Sequence, residues 1–94
     1  MTQEEALIKA YEELLAEFEE EKLKLREEID RALIDSQKES IIAEFTGNPD
    51  KLNDAEQMKG KYLHTASTNK EKIDSLTEKI SMINSELDKL HNRL

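Results

Sequence analysis

The sequence predicts an all-α fold, a long antiparallel helical hairpin whose two arms form a two-helix coiled coil. Three observations predict it. Apolar residues recur at spacings of three and four over most of the chain, which is the periodicity of a coiled-coil helix. Only two glycines and one proline can interrupt helices. Gly47 and Pro49 lie together at the centre of the 94 residues, where one helix can end and another begin.

The composition favours long helices over a compact globular core. Charged residues make up 38% of the chain and hydrophobic residues 36%, with two Tyr, two Phe and no Trp. The absence of Cys excludes disulfides and Cys-ligated metals. No apolar run is long enough to cross a bilayer, and the first residues lack the basic and apolar segments of a signal peptide. We therefore expect a single helical-hairpin domain, residues 1–94, in the cytoplasm.

The first helix is predicted over residues 3–45. Thr2 followed by Glu5 fits a capping box at its start. A seam of heptad positions a and d then continues to the turn, with polar interruptions at Lys22, Ser36 and Glu39. Its a positions are Ile8, Leu15, Lys22, Ile29, Ser36 and Ala43, and its d positions are Tyr11, Phe18, Leu25, Ala32 and Glu39.

The turn is predicted at residues 46–48. Gly47 suits the left-handed position that follows a helix. Asn48 is a good N-cap, Pro49 suits the first helical position, and Asp50 adds a carboxylate near the positive end of the helix dipole. Stop and start signals therefore meet within four residues.

The second helix is predicted over residues 49–94, and its last third has the strongest seam of the chain. That seam consists of Ile73, Leu76, Ile80, Ile83, Leu87, Leu90 and Leu94. It extends backwards in phase through Asn69, Ala66, Tyr62, Lys59, Ala55 and Leu52. Gly60 and residues 64–69 are poor helix formers, so a break or kink near 64–68 is the alternative. The unbroken heptad phase favours one continuous helix.

The two seams match best when residues whose numbers sum to 98 are placed opposite each other. Leu25 then faces Ile73, and the polar Glu39 faces Lys59. A polar pair inside a coiled-coil seam costs stability but fixes register, so we interpret Glu39 and Lys59 as a register device.

The net charge of −8 comes from the first half of the chain. Residues 1–45 hold 14 acidic and 6 basic side chains, whereas residues 46–94 hold 8 of each. Such a surface repels phosphate backbones and anionic lipids, so we expect neither nucleic acid nor membrane as a partner. An acidic inhibitor that mimics DNA is an alternative, but a solvated helix surface is the commoner reason for a run of charge.

No catalytic or metal-binding motif is present. His64 and His91 are the only histidines, and neither has a metal-ligand spacing. Ser and Thr residues lack a positioned His base, and no Gly-rich phosphate loop occurs. We expect no enzyme, no cofactor, no metal and no small-molecule substrate.

Apolar residues outside the seam predict an interaction surface near the turn. Ile34 and Ile41 occupy f, the position farthest from the partner helix, and Phe45 lies one turn beyond. Ile42 and Met58 add apolar side chains at the edge of the seam. A contiguous apolar stripe often marks a binding surface. We therefore expect a protein-binding module, an adaptor, assembly factor or inhibitor that binds a helical or apolar partner surface, or a homodimer that forms a four-helix bundle.

The segment Phe45-Thr46-Gly47 resembles the Trp-x-Gly turn of the WXG family of type VII secretion substrates, with Phe in place of Trp. The resemblance covers these three residues and the overall shape of a helical hairpin, and it implies a secreted protein. The family's C-terminal Tyr-x-x-x-Asp/Glu signal is missing here, because Tyr62 is followed at that spacing by Ala66.

Overall fold

The computed structural model describes residues 1–93, which form two helices, α1 (Gln3–Thr46) and α2 (Pro49–Arg93). The helices pack against each other as a hairpin rod of 67 × 19 × 14 Å. The predicted all-α hairpin is therefore confirmed. Its turn consists of residues 47 and 48, since α1 continues one residue further than expected. Leu94, the last predicted seam residue, lies outside the described residues.

The start of α1 is capped as the sequence predicts. The Glu5 amide donates to Thr2 Oγ1 at 3.1 Å, and the Ala6 amide donates to the Thr2 carbonyl at 3.0 Å. The Thr2 hydroxyl in turn donates to the Glu5 carboxylate at 3.2 Å. The bond to Thr2 Oγ1 satisfies the Glu5 amide, which otherwise lacks a partner at the helix start, and the Ala6 bond is the first regular bond of the helix.

The turn is held by local hydrogen bonds on both sides. Gly47 adopts φ 60°, and its amide donates to the Ala43 carbonyl at 3.0 Å. Asn48 Oδ1 accepts from the Asp50 amide at 2.9 Å, which makes Asn48 the N-cap of α2. The left-handed residue and the N-cap are adjacent, so the chain reverses within two residues.

The two glycines should respond to alanine in opposite directions. Gly47→Ala should cost about 1 kcal/mol, because an L side chain is strained at positive φ. Gly60→Ala should instead add about 0.5–1 kcal/mol, because Gly60 lies inside α2 with open space around its Cα. Thermal unfolding of both variants measures this, and equal shifts would contradict the assigned turn.

Burial along α1 follows the predicted seam. Every predicted a and d residue from Ile8 to Ala43 is buried or half-buried, including the polar Lys22 and Glu39. Ser36, one of the predicted polar interruptions, is among the most buried side chains of the chain. The heptad phase assigned from sequence is correct for this helix.

The seam of α2 departs from the prediction near the turn. Lys59 and Leu52 are exposed, and the half-buried positions are Met58 and Lys51 instead. The inward residues there are spaced by four, four and three, from Ala66 to Ala55, which matches an undistorted 3.6-residue helix better than a strict heptad. The predicted Glu39–Lys59 seam pair is therefore wrong. Within residues 1–93, the ion pairs join side chains of the same helix.

Helix α2 runs without interruption through residues 64–68. The alternative of a helix break there is wrong. Tyr62, Ala66 and Asn69 keep their inward positions across this segment, and Thr65 and Thr68 are half-buried beside them. Burial along this side of α2 therefore outweighs the low helix propensity of the Ser, Thr and His residues.

The core is strongest at the end that carries the termini. Five large side chains of α2 are buried there: Leu76, Ile80, Ile83, Leu87 and Leu90. Near the turn the buried apolar residues are only Ala43 and Ala55. No side chain among the described residues is less than 2% exposed, as expected for two helices without a third layer.

Within residues 1–93, neither helix combines the length and the apolar character needed to span a membrane.

Candidate interaction surfaces

The five residues predicted as an interaction surface form a turn-end cluster, defined as Ile34, Ile41, Ile42, Phe45 and Met58. Phe45 is 86% exposed, Ile34 and Ile41 are 47% and 49% exposed, and Ile42 is similar. Met58 is half-buried beside Glu39 in a groove between the helices. Four members of the cluster are therefore free to meet another molecule, and Met58 lies at the edge of the seam.

The local structure explains why the cluster is exposed. Ile34, Ile41 and Phe45 are seven and four residues apart, so they lie along one side of α1 away from α2. Exposed Lys38 lies between Ile34 and Ile41 on the same side. Phe45 belongs to the last turn of α1, directly before the capping Gly47. The cluster is thus an apolar strip with one basic side chain within it.

The three residues that resemble the WXG turn have local roles in this hairpin. Gly47 supplies the left-handed cap, and Thr46 Oγ1 donates to the Ile42 carbonyl at 3.0 Å. Phe45 projects into solvent.

A second apolar surface, the terminal groove, lies near the ends of the chain. It is an open groove of about 270 Å³ lined by Tyr11, Phe18, Lys79, Met82, Ile83 and Glu86. Lys79 Nζ lies 5.8 Å from the centroid of the Phe18 ring, a cation–π distance. Met82 is 68% exposed. Sequence reasoning missed this groove, because Met82 occupies a c position and was not counted with the seam.

Leu7 and Leu14 occupy g positions of α1, on the side of the hairpin that carries the terminal groove. Both are exposed. They extend the apolar surface of that side.

The centre of the hairpin contains one buried polar contact between the helices. Asn69 is 4% exposed, and its Nδ2 donates to the Leu25 carbonyl at 3.0 Å and to Glu28 Oε2 at 2.9 Å. The sequence placed Asn69 in the seam but could not identify these partners. The contact fixes the position of α1 relative to α2 along the rod axis.

Charge is divided between two sides of the rod. The c and g positions of both helices form one side, the groove face, which contains the terminal groove. It carries six acidic residues (Glu17, Glu21, Glu28, Asp35, Asp54, Glu86) and nine basic ones (Lys24, Arg31, Lys38, Lys51, Lys61, Lys72, Lys79, Lys89, Arg93).

The b, e and f positions form the rest of the outer surface, the acidic surface. Its basic residues are only Lys9, Arg26 and Lys70. Its fourteen acidic residues are Glu5, Glu12, Glu13, Glu19, Glu20, Glu27, Asp30, Glu44, Asp50, Glu56, Glu71, Asp74, Glu78 and Asp88. The net charge of the chain therefore comes from this surface, while the groove face has a small basic excess.

The described residues offer no clustered ligands for a metal. No group of three or more His, Asp or Glu side chains in residues 1–93 is arranged to hold an ion. His64 and His91 are both exposed and far apart along α2.

Comparison with protein-family models, with curated proteins and with solved structures finds no match.

Proposed function

We propose that this chain is a non-catalytic coiled-coil interaction module, an adaptor, assembly factor or inhibitor, that binds a helical or apolar surface of another protein. The turn-end cluster supports the proposal most directly. It concentrates four exposed large apolar side chains in the last part of α1. The cysteine-free, charged composition favours a cytoplasmic setting for this role.

The energetics of the cluster fit a binding role. Covering a fully exposed aliphatic or aromatic side chain contributes roughly 1.5–3 kcal/mol. Phe45 and the three isoleucines would together supply several kcal/mol, enough to offset a large part of the cost of association. Both helices that carry the cluster are capped and packed, so little conformational order has to be gained on binding.

The charges around the cluster indicate the character of the partner. Asp30 lies one turn before Ile34, and Glu44 lies one turn after Ile41. The partner surface that fits is an apolar strip, such as one face of a helix, with basic side chains near its edges.

The acidic surface supports a second candidate function, an inhibitor that mimics DNA. Fourteen carboxylates against three basic residues present a field that attracts basic, DNA-binding proteins. The two candidates use different residues of α1, so they can be separated.

Site-specific photo-cross-linking in cells of the source organism tests both candidates. A photoreactive residue at Ile41 should link the full chain to one defined protein. The matched position is Glu20, which occupies the same f row on the acidic surface. An adduct from Ile41 and none from Glu20 supports the module. An adduct only from Glu20, with a DNA-binding protein, favours the mimic, and no adduct from either position contradicts both.

A further inference from the structure

We propose that two copies of this chain associate through their groove faces into a four-helix bundle, with a twofold axis parallel to the rod. Both turns then lie at the same end. This inference goes beyond the proposed function, because it assigns a second copy of the chain to the groove face, and Ile34 and Ile41 of the turn-end cluster lie at f positions outside that face. Ile34 and Ile41 would stay outside the dimer contact and remain free for another protein.

Charge decides which side two copies can share. The acidic surface has a large excess of carboxylates, so two copies facing each other there would repel. The groove face carries six acidic and nine basic side chains, a much smaller excess of one charge. It is therefore the side on which self-association meets the least repulsion.

The g rows of the groove face are complementary to each other in the order of their side chains. The g row of α1 reads Leu7, Leu14, Glu21, Glu28, Asp35 and Ile42, and the g row of α2 reads Lys51, Met58, Thr65, Lys72, Lys79, Glu86 and Arg93. Acidic residues thus occupy the middle of the α1 row, and two lysines occupy the middle of the α2 row. Apolar residues lie towards the ends of the α1 row.

Contacts inside the hairpin show which residues of α1 and α2 lie at the same height, or level, along the rod axis. Asn69 meets Glu28, and Lys79 lies beside Phe18. By the same spacing, Leu14 is level with Met82. A twofold axis parallel to the rod places α1 of one copy over α2 of the other without changing level.

This arrangement pairs unlike charges and like apolar groups between the copies. Glu21 of one copy would lie opposite Lys72 and Lys79 of the other copy. Within one hairpin these three residues line the same groove. Leu14 would cover Met82 of the other copy. The apolar groups supply the affinity, and the charges mainly select the orientation.

The opposite orientation brings like charges together. An axis perpendicular to the rod places α1 over α1 with the turns at opposite ends. Glu21 of one copy then lies near Glu28 of the other, because α1 runs from Gln3 to Thr46 and its middle is near residues 24 and 25. Two carboxylates per chain would face carboxylates, which disfavours this dimer.

The groove face is also large enough for a stable dimer. The rod measures 67 Å by 19 Å, so one side offers on the order of 1,200 Å². A standard interface covers about 800 Å² on each partner.

Glu21 and Lys72 make no ion pair with each other in the hairpin. Within residues 1–93, each ion pair joins two side chains of the same helix.

Sedimentation equilibrium of the full chain tests the dimer. The expected mass is twice the 10.9 kDa of one chain. Met82→Glu should weaken dimerisation at least about tenfold, because each dimer then contains two new carboxylates in apolar contacts. Leu63→Glu is the matched control, since Leu63 is 56% exposed on the other side of α2.

The results separate the proposal from its competitors. Leu14→Glu, on the other helix, should reproduce the effect of Met82→Glu, and circular dichroism of each sample confirms that the hairpin is folded. A monomeric wild-type chain at hundreds of micromolar would overturn the dimer. Equal loss of mass in Leu63→Glu and Met82→Glu would overturn the assignment to the groove face.

A single spin label tests the orientation. The chain has no cysteine, so Asn48→Cys places one label in each turn. Turns at the same end give an interspin distance of about 20–30 Å, two to three interhelix spacings. A distance close to the 67 Å length of the rod would overturn the parallel arrangement. Ile34→Lys with Ile41→Lys should keep the dimer mass, so failure of the proposed function and failure of the dimer are distinguishable.

Discussion

Asn69→Asp is expected to lower the free energy of unfolding by about 3–5 kcal/mol at pH 7. The Asn69 amide nitrogen donates to the Leu25 carbonyl at 3.0 Å and to Glu28 Oε2 at 2.9 Å. A carboxylate of the same shape has no donor there and faces two oxygens from a position that is 4% exposed. Both hydrogen bonds are lost, and a charge is buried beside a like charge.

Chemical denaturation of matched variants measures this effect. Asn84→Asp adds the same charge at an exposed position of α2 and should change stability by no more than about 0.5 kcal/mol. Adding Glu28→Gln to Asn69→Asp should recover part of the loss, since the new amide can donate to the introduced carboxylate. Similar losses at positions 69 and 84 would contradict the buried contact.

The same variant should depend on pH. Burial beside Glu28 raises the pKa of the introduced carboxyl in the folded state above its unfolded value, so the penalty is fully present above the folded pKa. It should disappear as the pH falls below the unfolded value of about 4, because the protonated group can donate again. Unfolding measured relative to wild type across this range isolates the effect.

The sequence was sufficient to predict the hairpin because its signals agree with one another. Gly47, Asn48 and Pro49 are each favoured at the place they occupy in the turn. The α1 seam repeats strictly every seven residues, so its inward side can be assigned without knowing α2. Local capping and long-range periodicity therefore lead to the same fold.

The prediction was wrong where the pattern gave two nearly equal choices. Near the turn, Met58 and Lys59 are neighbours, and the heptad phase extended from Ile73 selected Lys59. The structure places Met58 inward and half-buried, so the helix keeps its natural periodicity and an apolar side chain packs there in place of a charged one. The buried residues at this end, Ala43 and Ala55, are small, so their packing does little to hold α2 in the heptad phase.

The interaction surfaces were predictable in part. The exposure of Ile34 and Ile41 follows directly from their f positions. The terminal groove could not be read from the seam, because it depends on Met82 and Lys79 lying level with Phe18 across the two helices. The partners of Asn69 likewise depend on the distance between the helix axes.

Changing Ile34 and Ile41 together to Lys is expected to weaken binding of the protein that cross-links from Ile41 by at least about 100-fold. Each isoleucine is about half exposed, so covering it contributes roughly half of the 1.5–3 kcal/mol of a fully exposed side chain, and burying each introduced ammonium adds a desolvation cost. A factor of ten in affinity corresponds to about 1.4 kcal/mol. The two residues are 47% and 49% exposed at f positions, so the hairpin loses little internal contact. Its unfolding free energy should change by less than about 1 kcal/mol.

The matched control is Leu23→Lys with Leu52→Lys, which adds the same charge at two residues of similar exposure outside the turn-end cluster. Titration calorimetry with the partner and thermal melting are performed on both double variants. The control should bind as wild type does. If the Ile34 and Ile41 variant also binds normally, the cluster is merely exposed surface. If this variant unfolds, Ile34 and Ile41 belong to an internal core. Their assignment to exposed f positions of a two-helix hairpin is then wrong.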